Sequence, residues 1–438
     1  MRSLKTPAVR AVSRGARDFR PGCDRLVMNL SPVSPEVTCD RAPQHFSRRT
    51  DVWHHPAETK EKISNTRSVK FTGRFKWKAN SMSKVTSIQW CHSTVNPVAG
   101  CDGCPLWPSE ADLEVRITNA AMQHVPNADR VAVKTHVREA LQCSDKRMEQ
   151  ARVALGSVLT RYVPSLSDLD HTLAWKELKQ GFRCYAGVLT HRFQGKSPKA
   201  YPENFDVAQR FPGRMQAAAA YGLPSEREIH DKPWLQGLRR LLFVSDMGDA
   251  LSENIDFSYL KKEIVDVVTS EAGARHVWLW LTKRAPRMAE FSDWLQASGT
   301  GWPVNLIPMA SILNHGYARQ AVELLRIPSV ARGFSVEPLD APLTLPQEIL
   351  GPNSWVILGG ESGNGARAHP FEIEWARGIR DQCAATGTPF FMKQLGAVAT
   401  EKGKPYATQD SHGGEWSEWP RDLRVREFPA EFRSAARN

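Results

Sequence analysis

The chain has 438 residues, 41% hydrophobic and 24% charged, which is the balance of a soluble globular protein. It contains no apolar run of the ~18 residues that a membrane-spanning helix needs, so no membrane partner is expected. The net charge of +11 is concentrated in residues 1–81, which hold 17 Lys and Arg against 7 Asp and Glu. The remaining residues hold 41 Lys and Arg against 40 Asp and Glu, so their charge gives no reason to expect tight nucleic-acid binding.

Residues 1–81 lack sustained periodicity and are rich in Arg, Ser and Pro. They are interpreted as a disordered tail, an Arg-rich transit peptide or a spurious extension upstream of the true start. The spurious extension is favoured because Met82 opens the run MSKVTSIQW, which resembles a natural start ahead of a first strand. No apolar core typical of a secretory signal is present, and a cytoplasmic location is predicted.

Short apolar runs alternate with amphipathic stretches from residue 240 onward, a pattern typical of parallel β/α units. We therefore predict an α/β fold over residues 82–400, a partial or open (β/α) TIM-like barrel of about six to seven parallel strands. Residues 105–183 read as a helical insertion into it, and residues 401–438 as a C-terminal tail. The predicted strands are VTSIQW (85–90), RLLFVSD ending at Asp246, 276–284, 304–311, 332–338, 354–362 and 389–394.

Polar residues end most of these strands, and the carboxyl ends of parallel strands are where such folds bind ligands. A shared site at this edge is therefore predicted. The residues concerned are Ser245 and Asp246, Thr282 to Arg284, Glu337, Glu361 and Ser362, and Lys393 and Gln394.

Eight cysteines are too few for a disulfide scaffold in a chain of this length, and reduced thiols are expected. Cys23 and Cys39 lie in residues 1–81. Cys143 and Cys383 lie in helical patterns and are predicted to be buried small hydrophobes. The cysteines left as candidate ligands are Cys91, Cys101, Cys104 and Cys184, with packing the favoured role for Cys91.

Cys101 and Cys104 form a CxxC motif with glycines around it, which aims two sulfurs at one point. Thiolates bind zinc or iron–sulfur clusters, although a CxxC is also typical of thioredoxin-like redox pairs. Cys184 follows the helical insertion as a third thiol. Three cysteines can hold three irons of a four-iron cluster, whereas His92 or His191 as a fourth ligand would make a closed zinc site.

Seven motifs resemble an uncharacterised, often phage-encoded three-Cys-motif family, a domain of unknown function related to radical S-adenosylmethionine enzymes. They run in order from about Ile88 to Gly396. The motifs are SIQWCHSTVNPVAGC, CYAGVLTHRF, FVSDMGDAL, LTKRAPRM, FSVEPLDAPL, VILGGESGNGARAHP and QCAATGTPFFMKQLG.

The resemblance implies a [4Fe-4S] cluster on Cys101, Cys104 and Cys184, whose open iron binds S-adenosylmethionine for reductive cleavage to a radical. Glu337 and Lys283 are then the candidate catalytic residues. Cofactor contacts would come from Gly359, Gly360, Glu361, Ser362, Asp246 and Arg284.

The sequence departs from the radical enzymes in two ways. Their three cysteines lie together in a CxxxCxxC loop, whereas a helical insertion separates Cys104 from Cys184 in this chain. The Gly-Gly-Glu element at residues 359–361 lies late in the barrel, whereas in those enzymes it lies early and meets the methionyl amine.

The resemblance is compatible with a nucleotide or nucleic-acid substrate in modification or repair, a small electron-donor protein and a protein partner encoded nearby. The alternative function is a zinc-binding module, without enzyme activity, that recruits a protein or nucleic acid. Trp278 and Trp280, two positions apart on one strand, are predicted to pack in the core.

Overall fold

The computed structural model describes residues 82–103, 106–193, 201–362 and 368–433. The predicted N-terminal extension 1–81 and the predicted ligand Cys104 lie outside them. Within the described residues, no helix combines the length and the apolar character that crossing a membrane requires.

The β-strands of the described residues form one large sheet and two small ones. The strands are β1 (Met82–Ser83), β2 (Ser93–Val95), β3 (Val98–Ala99), β4 (Gln209–Arg210), β5 (Leu241–Val244), β6 (Val277–Thr282), β7 (Leu306–Ser311), β8 (Arg332–Val336), β9 (Ser354–Gly359), β10 (Phe371–Glu372), β11 (Phe390–Gln394), β12 (Ala399–Glu401) and β13 (Lys404–Pro405).

The large sheet has eight strands in the order β1-β2-β5-β6-β7-β8-β9-β11, and all of its pairs are parallel except β1 with β2. It curls into a half-barrel within a mixed α/β fold. The strand order follows the chain order, as it does in barrels built from successive β/α units. Strands such as β7 and β9 are buried at every position, which explains their continuous apolar sequences.

The α-helices of the described residues fall into two groups, one between β3 and β4 and the other after β4. The first group is α1 (Glu110–His124), α2 (Arg130–Ala140), α3 (Arg147–Tyr162), α4 (Asp168–Lys179) and α5 (Tyr185–Phe193). The second group is α6 (Arg214–Ala219), α7 (Glu226–Asp231), α8 (Phe257–Leu260), α9 (Asp266–Val268), α10 (Glu271–Ala274), α11 (Ala285–Ala297), α12 (His315–Ala321) and α13 (Ile373–Thr386).

The first parallel strand is not where the sequence predicts it. Residues 85–90 form turns, and the strand is β2, at Ser93–Val95. The reason is a distant side chain, because Nζ of the partly buried Lys232 donates to the carbonyl oxygens of Thr86 and Cys91 at 2.7 and 2.8 Å. These backbone groups therefore find their partner without a strand neighbour. The other six predicted strands are present as β5 to β9 and β11.

Residues 110–179 form the helices α1 to α4, which pack around a hydrophobic core of their own. Ser109 and Ser167 begin α1 and α4 with capping boxes, which satisfy the free amides of the first turn. Cys143 is exposed in a 3₁₀ turn after α2, so its predicted burial is wrong. A helical pattern predicts that a helix forms, but it does not show which face of that helix lies toward the solvent. Cys383 is buried in α13, as predicted.

An aromatic layer fills one end of the half-barrel, around the buried rings of Trp90, Phe243, Trp355 and Phe391. Trp278 and Trp280 lie in the main core between sheet and helices, which confirms their packing role.

Residues 401–433 do not extend away as a tail but pack against the body of the half-barrel. Trp419, Leu423 and Phe432 are buried there, and an isolated bridge joins Phe391 to Arg426.

Candidate functional site

The carboxyl ends of the parallel strands meet at one edge of the half-barrel, which we call the mouth. The aromatic layer lies toward the other end of the strands, where Trp355 and Phe391 are near the starts of β9 and β11, so a polar ligand site is expected at the mouth. Four predicted site residues follow separate strands there. Asp246 comes after β5, Lys283 after β6, Glu337 after β8 and Glu361 after β9.

Cys101 lies in a loop that is anchored to its surroundings. Its backbone amide donates to the carbonyl oxygen of Phe205 at 2.7 Å. Gly100 before it has a φ of +87°, and a Cβ there would collide with the carbonyl oxygen of Val207. Glycine therefore lets the cysteine loop lie directly against the neighbouring backbone.

Cys184 returns to this loop after the helices α1 to α4. The backbone amides of Arg183 and Cys184 both donate to the carbonyl oxygen of Leu106, at 2.9 and 2.8 Å. We call residues 101–106, the CxxC motif and the two residues after it, the CxxC segment. Cys184 is hydrogen-bonded to the last residue of this segment. Cys101 and Cys184 are both partly buried and pack against the same hydrophobic core.

Within the described residues, no group of three His, Cys, Asp or Glu side chains is placed to hold a metal ion. Cys104 lies outside those residues, so the convergence of the three sulfurs stays a prediction.

Arg284 fixes a positive charge beside the cysteine loop. Its guanidinium forms an ion pair with Asp102 and lies 3.4 Å from the carbonyl oxygen of Gly103. Burial lowers the pKa of Arg284, but the charges of Asp102 and Asp249 and the contact with Cys101 outweigh burial, so that this pKa is raised. A cation beside a thiol favours the thiolate, the form that binds metals.

Gly359 and Gly360 end β9 where backbones approach closely. A Cβ on Gly360 would collide with the carbonyl oxygen of Leu395. Packing therefore explains the two glycines without a cofactor.

Ser362, the last of the predicted cofactor contacts after β9, has its carbonyl oxygen 2.8 Å from Nδ1 of His412.

Glu361 is held by partners from two segments. Its Oε2 lies 2.9 Å from Nη2 of Arg183 and 2.9 Å from Nδ1 of His369. Arg183 also contacts Asp340 at 2.8 Å. The structure thus joins the Gly-Gly-Glu element to the residue beside Cys184.

Glu337 and Lys393 form an ion pair across the end of β9. Oε1 of Glu337 lies 2.8 Å from Nζ of Lys393, and Ser335 donates to Oε2 at 3.1 Å. The sheet places β9 between the strands that carry these residues. Gly359 leaves room for the pair, because a Cβ there would lie 2.7 Å from Oε1 of Glu337.

Gly359→Ala should lower the free energy of unfolding by about 1 kcal/mol, since the added methyl must push the end of the Glu337 side chain aside and weaken its ion pair with Lys393. Gly378→Ala is the matched control, because an added Cβ on that α13 residue meets nothing within 4 Å. The control should gain about 0.5–1 kcal/mol from helix propensity. Urea denaturation measures both, and wild-type stability in Gly359→Ala would contradict the packing explanation.

Asp246 is enclosed by polar groups of two other segments. Its Oδ1 accepts a hydrogen bond from Asn96, and its backbone carbonyl accepts one from the Tyr185 hydroxyl. Burial raises the pKa of Asp246 to about 6, although the Asn96 bond opposes the shift.

Ser245, next to Asp246, has two features that cluster at ligand sites. Its φ is +75°, a conformation uncommon outside glycine. Its side chain is buried, and its hydroxyl has no hydrogen-bond partner among the described residues.

The stability of the protein should depend on pH through Asp246. Its carboxyl keeps its proton up to about pH 6 when folded but releases it near pH 3.8 when unfolded, so stability is lost as pH rises between these values. Asp246→Asn keeps an acceptor for Asn96 and removes the charge. It should be more stable than wild type by about 3 kcal/mol at pH 7 and equal to it below about pH 4. Urea titrations at the two pH values test this, and a pH-independent difference would contradict it.

Lys283 lines a cleft of about 410 Å³ beside the cysteine loop. Its backbone amide donates to Asp249 at 3.0 Å. Three cations and two carboxylates, Glu253 and Glu290, line the cleft. Glu253 pairs with Arg284 and Arg287, so Lys283 is the candidate contact for a carboxylate or phosphate. The lining includes Gly103, Lys283, Arg284, Arg287, Glu253 and Tyr317.

Neither histidine considered as a fourth ligand is well placed. His92 is buried, its Nδ1 accepts the amide of Leu241 at 3.0 Å, and burial lowers its pKa to about 3. Leu241 begins β5, so His92 lies at the end of the sheet opposite the mouth. His191 is exposed on α5, seven residues or about 10 Å along the axis from Cys184. Cys91 is fully buried, and burial raises its pKa to about 12.

Three residues at the mouth escaped the sequence prediction: Arg183, Tyr185 and Asn96. Arg183 and Tyr185 flank Cys184, and that adjacency was the available signal. The Tyr185 hydroxyl donates a hydrogen bond to the backbone carbonyl of Asp246.

Fold and site together define an α/β half-barrel protein with a cysteine loop at its polar mouth. The chain belongs to the DUF5131 family of proteins of unknown function, whose model matches residues 179–420. The match includes Cys184, Asp246 and Glu361 but begins after the CxxC motif. No curated protein and no solved structure matches the chain.

Proposed function

We propose that this protein is an iron–sulfur enzyme of the radical S-adenosylmethionine type, its half-barrel serving as an open TIM-like barrel. The observation that carries the proposal is the pair of hydrogen bonds from Arg183 and Cys184 to Leu106. These bonds return a distant cysteine to the CxxC segment at the polar mouth. The resemblance to the often phage-encoded three-Cys-motif family supports the same function.

Cys101, Cys104 and Cys184 would hold three irons of a [4Fe-4S] cluster and leave the fourth open. The donors suit this group, because Arg284 favours thiolates and neither His92 nor His191 is placed to close a zinc site. When bound, the cluster would supply the electron for reductive cleavage of S-adenosylmethionine.

The residues of the mouth have separate tasks in this proposal. Lys283, with Arg284, would bind a carboxylate or phosphate of the substrate in the adjoining cleft. Asp246 and the Ser245 hydroxyl would hydrogen-bond ribose hydroxyls or an ammonium group. Glu337, paired with Lys393, would orient the substrate and hold or move a proton.

The proposed substrate is a nucleotide or a nucleic acid undergoing modification or repair. Lys283 in the cleft would contact a nucleotide phosphate, and the nearly neutral body of the chain favours a specific substrate over nonspecific nucleic-acid binding. A small electron-donor protein would be required, and a protein encoded nearby is a further candidate partner.

Purification of the full chain without oxygen tests the proposal. We expect about four irons per chain, a brown colour with absorption near ~400 nm, and release of 5′-deoxyadenosine from S-adenosylmethionine after reduction. Bound iron without cleavage of S-adenosylmethionine would contradict the proposed enzyme activity. Stoichiometric zinc, with unfolding on chelation, would replace the proposal by the zinc-binding module.

A further inference from the structure

We infer that Arg183 and Glu361 form a clamp that positions Cys184, and that Glu361 acts in this clamp instead of binding the methionyl amine. The inference rests on the proposed function, because Cys184 is the third metal ligand of that function. It gives the late Gly-Gly-Glu element a role that its place in the chain explains.

Arg183 joins three separate parts of the chain. Its backbone amide donates to Leu106 of the CxxC segment at 2.9 Å. Its Nη2 contacts Asp340, in the loop after β8, at 2.8 Å, and Glu361, after β9, at 2.9 Å. The residue directly before Cys184 is therefore fixed to the mouth at both its backbone and its side chain.

Burial makes the clamp stiff. The side chains of Arg183 and Glu361 are only 17% and 10% exposed, so water screens their attraction little. Glu361 is itself held, because its backbone carbonyl accepts the amide of Ala397 at 2.8 Å and its Oε2 also contacts His369. A rigid carboxylate thus sets the position of Arg183, and through it that of Cys184.

The same geometry leaves the Glu361 carboxylate poorly suited to a ligand ammonium. At Oε2 of Glu361 the incoming group would compete with Arg183, and at Oε1 of the same carboxylate it would still lie beside the guanidinium, which stays charged at all relevant pH values. Displacing it would also leave Arg183 partly buried beside Asp340 alone.

Thiol alkylation in the full-length apoprotein, reduced and freed of metal with a chelator, tests the clamp without any cofactor. Arg183→Met and Glu361→Gln should each raise the iodoacetamide reaction rate of Cys184 by about fivefold or more, because the segment opens more often. Arg183→Lys should lie between Arg183→Met and wild type, since a lysine keeps the charge but its shorter side chain reaches Asp340 and Glu361 less closely.

Arg377→Met is the matched control, because Arg377 also binds several carboxylates, on α13 and its neighbours. It should leave the Cys184 rate at the wild-type value. The buried Cys383 should react equally slowly in all variants, which distinguishes local opening from global unfolding.

Unchanged alkylation of Cys184 in Arg183→Met and Glu361→Gln would overturn the clamp. So would a Glu361→Gln protein that keeps its iron and its Cys184 protection but binds S-adenosylmethionine at least about tenfold more weakly, a loss of about 1.4 kcal/mol. Wild-type protein without iron would overturn the proposed function instead, and the alkylation rates would still decide the clamp.

Discussion

Replacing Cys184 by alanine should abolish stable iron binding in protein purified without oxygen. Bound iron is expected to fall from about four atoms per chain to fewer than about one, and the absorption near ~400 nm should disappear. The reason is that Cys101 and Cys104 alone leave two irons of a four-iron cluster without a protein ligand. A colorimetric iron assay and an absorption spectrum measure the loss.

Two cysteines outside the mouth serve as controls for this experiment. Cys143 is exposed in the helical segment, and Cys143→Ala should keep both iron and stability. Cys383 is buried in α13, and Cys383→Ala should keep the iron while losing about 1 kcal/mol of stability through a small cavity. Full iron in Cys184→Ala would exclude the three-cysteine centre.

Arg240→Met should lower the free energy of unfolding by about 3–5 kcal/mol. Arg240 is fully buried and binds both carboxylate oxygens of Glu228, at 2.8 and 3.1 Å. It also donates to the carbonyl oxygens of Gly222 and Lys84 at 2.6 and 3.1 Å. Methionine would leave a buried carboxylate without its cation, and urea denaturation measures the cost.

The neighbouring Arg239→Met is the control, because Arg239 is half-buried and its guanidinium donates to the Glu431 carbonyl at 3.0 Å. Loss of this hydrogen bond should lower the free energy of unfolding by about 1 kcal/mol. Equal losses in the two variants would show that the Glu228 pair contributes little.

The same pair predicts a pH dependence of stability. Burial raises the pKa of Glu228, but its bonds to Arg240 and Ser225 outweigh burial and lower this pKa from 4.5 to about 2. The folded state therefore gains stability above pH 4.5 and loses that gain as pH falls toward 2. In Arg240→Met the acid-sensitive part of the free energy of unfolding should disappear, because the cation that lowers the pKa of Glu228 is gone.

The parallel strands could be predicted because strands buried on both faces need unbroken apolar runs. The run VTSIQW failed as a strand because its carbonyl groups bind Lys232, a residue more than 140 positions later. No local pattern contains that information. The burial of Cys143 was wrong for a related reason, since a helical pattern gives a periodicity but not its orientation toward solvent.

Part of the candidate site could also be predicted. Strand direction alone places Asp246, Lys283, Glu337 and Glu361 at the same edge of the sheet. Their partners could not be predicted, because the Asn96 bond to Asp246 and the Arg183 bond to Glu361 join residues 150 and 178 positions apart.

The sequence by itself determined the order of β/α units and the residues at their carboxyl ends, because both follow from chain direction and apolar pattern. The tertiary structure decided which of those ends touch. It joined Cys184 to the CxxC segment through Leu106, and it paired Glu337 with Lys393 across Gly359. Such contacts depend on how the sheet curls and on where the helices α1 to α4 return the chain, and packing over the whole molecule sets both.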